Sequence, residues 1–277
     1  MRTDEYPPQE PPSPQGKAYS DECVRRGQGV RGEEAAYGGD PYQSLAIYRA
    51  ARPNGAVFLF WHGGGWTGGY KEWMAFMAPA FTSAGVTFIS AGYRLAPQHL
   101  FPTGLEDCTD AVVWVHANAT RYGADSKRLF IGGHSAGGHY AALLAVTRGW
   151  QAKHSLPRDV VRGCLPISGV YHFGEDSGLA MRPRFLGSES ATTDRRASPI
   201  HQIEGTPPPF FLTYGERDFP HLMRQADAME AALRKAGGLV EQHVLPGRDH
   251  FSASHAGGEP EGPLVPRALA WMKRLVT

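Results

Sequence analysis

The sequence predicts an α/β protein: a mostly parallel sheet with helices on both faces. Three observations lead there. Short continuous apolar runs recur along the chain, among them Ala56–Trp61, Val86–Ala91 and Leu129–Gly132. Runs of this kind suit strands that are buried on both faces. Longer segments of helical period, such as Leu105–Ala119 and His221–Ala236, alternate with them. Alternation of strand and helix is the pattern of a parallel sheet. Finally, 277 residues that are 42% hydrophobic and 20% charged can enclose a large core.

The elements follow in order. Residues 1–39 are polar and rich in Pro, Gly and Glu, and Pro7-Pro-Gln-Glu-Pro-Pro-Ser-Pro14 suits neither helix nor strand. This arm is expected to be flexible or to lie along the surface, with residues 40–277 forming one domain. Tyr42–Arg49 contains an alternating stretch that reads as an early strand, and Pro53-Asn54-Gly55 is a turn signal. The strand Ala56–Trp61 runs straight into His62-Gly-Gly-Gly-Trp66. A helical segment, Trp73–Phe81, precedes the strand Val86–Ala91. The helix Leu105–Ala119 carries Glu106, Asp107 and Asp110 near its start, where the helix dipole favours acids. Leu129–Gly132 and Gly163–Gly169 are further strands, separated by a helix-forming stretch over Tyr140–Val146. Residues 173–205 have no strong period and read as a cap insertion of short helices and loops. A strand begins at Pro207, a last strand covers Leu239–Leu245, and a helix over Leu264–Leu275 closes the chain.

One stretch carries chemistry. Gly133-His134-Ser135-Ala136-Gly137 is a G-x-S-x-G turn between an apolar run and a helix-forming segment. That context defines a nucleophile elbow, in which a tight strand-to-helix turn exposes a serine hydroxyl. A serine attacks only if a base takes its proton and an acid holds that base. In elbow-type folds the partners follow in the order acid, then histidine. After the strand ending at Tyr214, Gly215-Glu-Arg-Asp218 offers Asp218, preferred over Glu216 for its place after the glycine turn. After the last strand, Pro246-Gly-Arg-Asp-His250 offers His250, with His255 a weaker rival and His243 inside the strand. An oxyanion also needs donors. His62-Gly-Gly-Gly-Trp66 fits the glycine-rich loop that supplies them in esterases and lipases. Gly64 and Gly65, with the amide of Ala136, are the expected donors, and His62 is expected to prop the loop. Trp66, Trp73, Phe76, Tyr171, Phe219 and Phe251 flank these points. Each is individually more often plain core than pocket.

Taken together, these motifs resemble a known family. His62–Trp66, Tyr93-Arg-Leu-Ala-Pro97 with Phe101-Pro102 and Leu105-Glu-Asp107, Gly133–Gly138, Gly215–Asp218 and Asp249-His-Phe251 are similar to α/β-hydrolase esterases of the hormone-sensitive lipase type. The resemblance runs from about Tyr42 to the C-terminus. It implies the α/β-hydrolase fold and a serine carboxylesterase that needs no metal or organic cofactor. One position departs: that family usually has an acidic residue where this chain has His134. The Gly-His-Ser-Ala-Gly elbow, Tyr37–Leu45 and Ser198-Pro-Ile-His201 look more like the kynurenine formamidase branch of the same fold. Hydrolysis of small carboxylic esters is therefore the expected activity. Arylformamidase activity on N-formylkynurenine is the alternative, and a catalytically silent ligand-binding protein a third reading.

Composition narrows the partners. Net charge is +1 with no basic block, so nothing favours nucleic acid or an anionic membrane. Three scattered cysteines, Cys23, Cys108 and Cys164, suit free thiols in a reducing compartment rather than a zinc site. The opening residues lack the apolar stretch of a signal peptide, so a cytoplasmic location is expected. The expected partner is a small ester or amide substrate, and oligomeric state is left open.

Overall fold

The computed structural model describes residues 5–276. Eight strands form one sheet: β1 (Glu33–Ala36), β2 (Ser44–Tyr48), β3 (Gly55–Trp61), β4 (Thr87–Ala91), β5 (Ala124–His134), β6 (Gly163–Ile167), β7 (Phe210–Arg217) and β8 (Val240–Asp249). Their order across the sheet is β1-β2-β4-β3-β5-β6-β7-β8. β2 pairs antiparallel with both β1 and β4, and every other pair is parallel. The carboxyl ends of β3, β5, β7 and β8 therefore open on the same edge, where open α/β sheets place their sites.

The apolar runs alternate between two cores. In β3, Val57, Leu59 and Trp61 face one, while Ala56, Phe58 and Phe60 face the other. In β5, Leu129 and Ile131 oppose Phe130 in the same way. The first core is covered by α3 (Thr103–Asn118), α4 (Ala136–Val146) and α8 (Pro220–Lys235), which contribute Val112, Leu144 and Met229 among others. The second is covered by α1 (Pro14–Arg26), α2 (Ala78–Thr82), α9 (His250–His255) and α10 (Val265–Val276), with Cys23, Phe81, Ala253 and Trp271. All 11 residues of α4 are buried, which explains why that stretch is alanine- and leucine-rich on every side. Short helices α5 (Trp150–Lys153), α6 (Arg182–Leu186) and α7 (Ala191–Ala197) complete the set, the last two within the 173–205 interval.

Residues 5–39 lie mostly at the surface and carry a helix, α1, with one buried face. α1 starts at Pro14, where a proline fits the first helical position, and Ser13 caps it by accepting from the Gly16 amide. Tyr19 and Cys23, four apart on one face, are buried in the second core. The Pro-rich residues before the helix are also pinned. The Gln9 side chain accepts from the Gly69 amide at 2.8 Å and donates to the Gly69 carbonyl at 2.9 Å. The fully buried Lys71 ammonium donates to Tyr6 Oη at 2.8 Å and pairs with Glu72 at 2.7 Å and Glu34 at 3.0 Å. A buried ammonium is costly unless it is paired, and these partners tie Tyr6 to the segment 69–72 and, through Lys71, to Glu34 of β1. The short strand β1 also lies within residues 1–39.

The tightest packing lies where α4 meets the sheet. A Cβ on Gly137 would overlap the carbonyl oxygens of Trp61 and His62, and one on Gly133 would overlap the Gly137 backbone. Gly39, by contrast, has nothing within 4 Å of the place its Cβ would occupy and no positive φ. Gly137→Ala should destabilise the protein by about 3 kcal/mol or more through overpacking, or prevent folding. Gly39→Ala should stay within about 1 kcal/mol of the parent in urea unfolding.

Candidate active site

Ser135 sits between β5 and α4 with φ 53° and ψ −114°, a conformation that costs energy for any residue with a Cβ. Its amide donates to the Ile167 carbonyl at 2.9 Å, tying the turn to β6. The backbone strain lifts the hydroxyl above the sheet edge. There His250 Nε2 lies 3.0 Å from Ser135 Oγ. The other ring nitrogen, Nδ1, lies 2.8 Å from Asp218 Oδ1. The three side chains come from the ends of β5, β7 and β8, as the strand–loop order predicts.

Asp218 is held on every side. Oδ1 also accepts from the Phe219 amide at 2.7 Å, and Oδ2 accepts a short bond from the Ser168 hydroxyl. Burial opposes ionisation, but hydrogen bonds from His250, its charge, Ser168 and the Phe219 amide outweigh it and hold the carboxyl below the usual range. With both oxygens engaged, Asp218 fixes the His250 ring so that Nδ1 carries a proton and Nε2 faces the serine. Glu216 is exposed and accepts from the Gly247 amide instead. His243 contacts the Pro263 carbonyl and His255 the Cys23 thiol, so neither faces Ser135.

Ser168 is the residue that the sequence did not single out. It directly follows β6 and has φ 52°. The sequence places it inside the strand Gly163–Gly169, and nothing local marks it as a partner for an acid 50 positions away.

The glycine loop starts from a rigid histidine. The buried His62 donates from Nδ1 to the Gly63 carbonyl at 2.7 Å and stacks on Tyr93 with ring centres 4.4 Å apart. Tyr93 Oη donates to the His62 carbonyl at 2.9 Å. Gly64 and Gly65 follow with φ 126° and 61°, values that favour glycine. Among the described residues neither of their amides donates to another protein group, whereas the Gly64 carbonyl accepts from Thr67 and Gly68. Ala136 opens α4, so its amide lies at the positive end of an 11-residue helix, directly after Ser135.

The interval 173–205 closes against this loop. Trp66 stacks on Phe185 of α6 with centroids 4.4 Å apart. Trp66 Nε1 donates to His139 Nδ1 at 3.1 Å, and His139 Nε2 donates to the Ala197 carbonyl at 2.7 Å. Trp66, Phe76, Tyr171, Phe173 and Phe185 are all buried, so they fill space rather than line an open pocket. Phe219 is 44% exposed, with its ring 4.7 Å from that of His250.

A family profile described as an alpha/beta hydrolase fold matches residues 58–253. The chain belongs to the α/β-hydrolase fold family. Among α/β hydrolases, it is 30% identical over 251 residues to esterase LipC of Mycobacterium tuberculosis, covering 82% of this chain and 61% of that protein. It is 32% identical over 213 residues to an ethyl acetate hydrolase of Pseudomonas putida, covering 71% of this chain and 65% of that one. The chain spans between about a quarter and two thirds of the length of the curated relatives it matches. An esterase of Pyrobaculum calidifontis superposes with a TM-score of 0.78 at 21% identity, over 94% of this chain and 92% of that one. A thermophilic carboxylesterase cloned from a metagenomic library gives 0.75 at 21% identity, over 96% and 98%. These two superpositions share the α/β-hydrolase fold. Among the described residues no helix is long and apolar enough to cross a membrane, and no His, Cys, Asp or Glu cluster could hold a metal ion.

Four buried histidines of this α/β hydrolase have depressed basicity. Burial pushes His62, His139 and His255 down to about 4, and burial followed by the nearby His250 pushes His134 down to about 3. Unfolding frees each to bind a proton at its ordinary value near 6.5. The unfolded state then binds more protons below about pH 6.5, so stability must fall on acidification from about 6.5 towards 4. Each histidine contributes a slope of up to about 1.4 kcal/mol per pH unit in that window. Urea unfolding between pH 8 and 4 should show a flat upper region and a steep loss below 6.5. Replacing His139 by Gln should make that loss shallower.

Proposed function

We propose that this protein is a serine carboxylesterase acting on small, soluble esters. The observation that carries this reading is the unbroken contact path from Ser135 Oγ through both nitrogens of His250 to Asp218. The esterase relatives support it, and the ethyl acetate hydrolase among them is named for a small ester. They favour an ester over a formamide substrate.

In this reading His250 Nε2 takes the Ser135 proton as Oγ attacks the ester carbonyl. Asp218 stabilises the imidazolium without accepting its proton. The carbonyl oxygen becomes an oxyanion received by the amides of Gly64, Gly65 and Ala136. Removing one such donor typically costs about 3–4 kcal/mol of transition-state stabilisation. The tetrahedral intermediate collapses, the C–O bond breaks, and the alcohol leaves with the proton from His250. Water, deprotonated by His250, attacks the acyl-enzyme and releases the acid, returning the proton to Ser135. Two short cap helices and an aromatic wedge already filled by Trp66 and Phe185 favour short acyl groups.

Turnover of p-nitrophenyl acetate, butyrate and decanoate and of N-formylkynurenine tests this reading. kcat/KM should be highest for the short esters and negligible for the formamide. Ser135→Ala should lower kcat by about 10⁴-fold or more, and Asp218→Asn by about 10³–10⁴-fold, with the fold retained. Full turnover by Ser135→Ala would overturn the mechanism, and dominant formamide cleavage would overturn the substrate class.

A further inference from the structure

His134 stands where the resembling esterases usually carry an acid, and its surroundings give it a second task. Its Nε2 lies 2.9 Å from the carbonyl oxygen of His250. A carbonyl can only accept, so Nε2 carries the proton and donates. Nδ1 is then a lone pair, and the Tyr19 hydroxyl, 3.2 Å away, donates to it. With its own proton committed, the Tyr19 oxygen accepts from the Ser254 hydroxyl at 3.0 Å. Ser254 lies on α9, the helix that His250 opens.

The path is therefore a closed ring of bonds. It leaves α9 at the His250 carbonyl, crosses His134 and Tyr19, and returns to α9 at Ser254. Every side chain in it is buried: His134 is 1% exposed, Tyr19 5% and Ser254 0%. Buried polar rings are stable only when each member is satisfied, and here each has one defined direction of donation. The Tyr19 ring adds packing, stacking on His255 at 5.3 Å and lying 5.4 Å from Phe251. His134 also reaches the glycine loop, since a Cβ on Gly63 would stand 2.8 Å from its Nδ1. A single imidazole thus touches the serine turn, the glycine loop and the loop bearing His250. A neutral ring is required throughout, and burial, followed by the charge of His250, keeps it so by pushing it down to about 3.

We propose that Tyr19 and His134 are positioning residues for His250, which makes the N-terminal helix α1 part of the apparatus that aligns the base with Ser135. The proposal rests on the reading of Ser135, His250 and Asp218 given above. Neither residue touches substrate. They act by fixing the backbone of His250, so that Nε2 stays within reach of Ser135 Oγ. Misplacing a catalytic group by about 1 Å can cost roughly 100-fold in rate, so a loosened base loop lowers kcat while leaving ester binding almost unchanged.

The experiment uses the full chain and p-nitrophenyl acetate, with Ser135→Ala as the first control. His134→Leu, His134→Gln and Tyr19→Phe are compared by kcat, KM, thermal midpoint and the downfield ¹H NMR signal of the His250 Nδ1 proton. Gln places an amide N–H near the position of Nε2 and can still donate to the His250 carbonyl. His134→Leu should lower kcat by about 10–100-fold with KM within about twofold, and should broaden the downfield proton. Tyr19→Phe should lower kcat by about 3–10-fold, the factor that one lost hydrogen bond supplies. His134→Gln should return kcat to within about threefold of the parent despite a lower thermal midpoint.

Unchanged kcat and an unchanged downfield proton in folded Tyr19→Phe would overturn the proposal. So would equal losses in the Gln and Leu variants. If His134→Leu does not fold, Tyr19→Phe and His134→Gln still decide the matter. Turnover that survives Ser135→Ala would instead overturn the reading of the active site.

Discussion

The contact on which the site depends is the backbone approach of α4 to β3. Gly137 presses its Cα against the Trp61 and His62 carbonyls, and Gly133 packs on Gly137. No side chain fits at either place. With the helix this close, the chain between β5 and α4 has a single residue in which to reverse, and Ser135 takes a positive φ. The strain is sustained by what surrounds it: β3 and β6 flank β5 in parallel register, and all 11 residues of α4 are buried. The hydroxyl and the helix N-terminus meet at one point because the packing leaves no alternative. An exposed serine in a loop would need separate restraints for each.

Electrostatics then sorts the histidines. His250 has an ionised partner, Asp218, whose own charge is kept by the Ser168 hydroxyl and the Phe219 amide. His62, His134 and His139 have only carbonyl acceptors, a hydroxyl donor or an indole donor. Burial without a countercharge disfavours the cation, so these rings stay neutral and act as fixed donor–acceptor bridges. One residue type fills two roles in the same few ångströms, and the neighbour decides which. Proton transfer suits the histidine with a carboxylate behind it. Bracing suits those that face backbone.

The strands β2 to β8 and the three proposed triad residues could be read from the sequence because each depends on local signals. Apolar runs mark β3, β4 and β5, glycines mark the turns, and Asp218 and His250 fall at fixed places after β7 and β8. Gly64 and Gly65 stand in a motif whose backbone angles only glycine accepts readily. What stayed hidden depends on contacts distant in sequence. α1 is a polar helix whose claim to a place rests on Tyr19 and Cys23, and His134, Ser254 and His255, to which they hydrogen-bond, are more than 100 residues away. β1 is four residues long with only alternate half-burial, too short for a period to register. Lys71 reads as a surface charge until Tyr6, Glu34 and Glu72 are brought around it. α9 follows a glycine-opened loop, and its capping box, Asp249 with Ser252, uses Ser where the usual signal is Glu or Gln.

Position 134 shows how a departure from a family pattern can be a matter of hydrogen-bond direction. A carboxylate there would be an acceptor only, and the carbonyl of His250 offers it nothing to accept. Such a side chain would have to turn elsewhere, and the base loop would need another anchor. Histidine reverses this. It gives one proton to the carbonyl and leaves one lone pair, which in a buried site must itself be satisfied. Tyr19 meets that demand, and no residue of the sheet does. The histidine and the helix that carries the tyrosine therefore belong together. Losing α1 would leave a buried Nδ1 and the Ser254 hydroxyl without the Tyr19 hydroxyl beside the base.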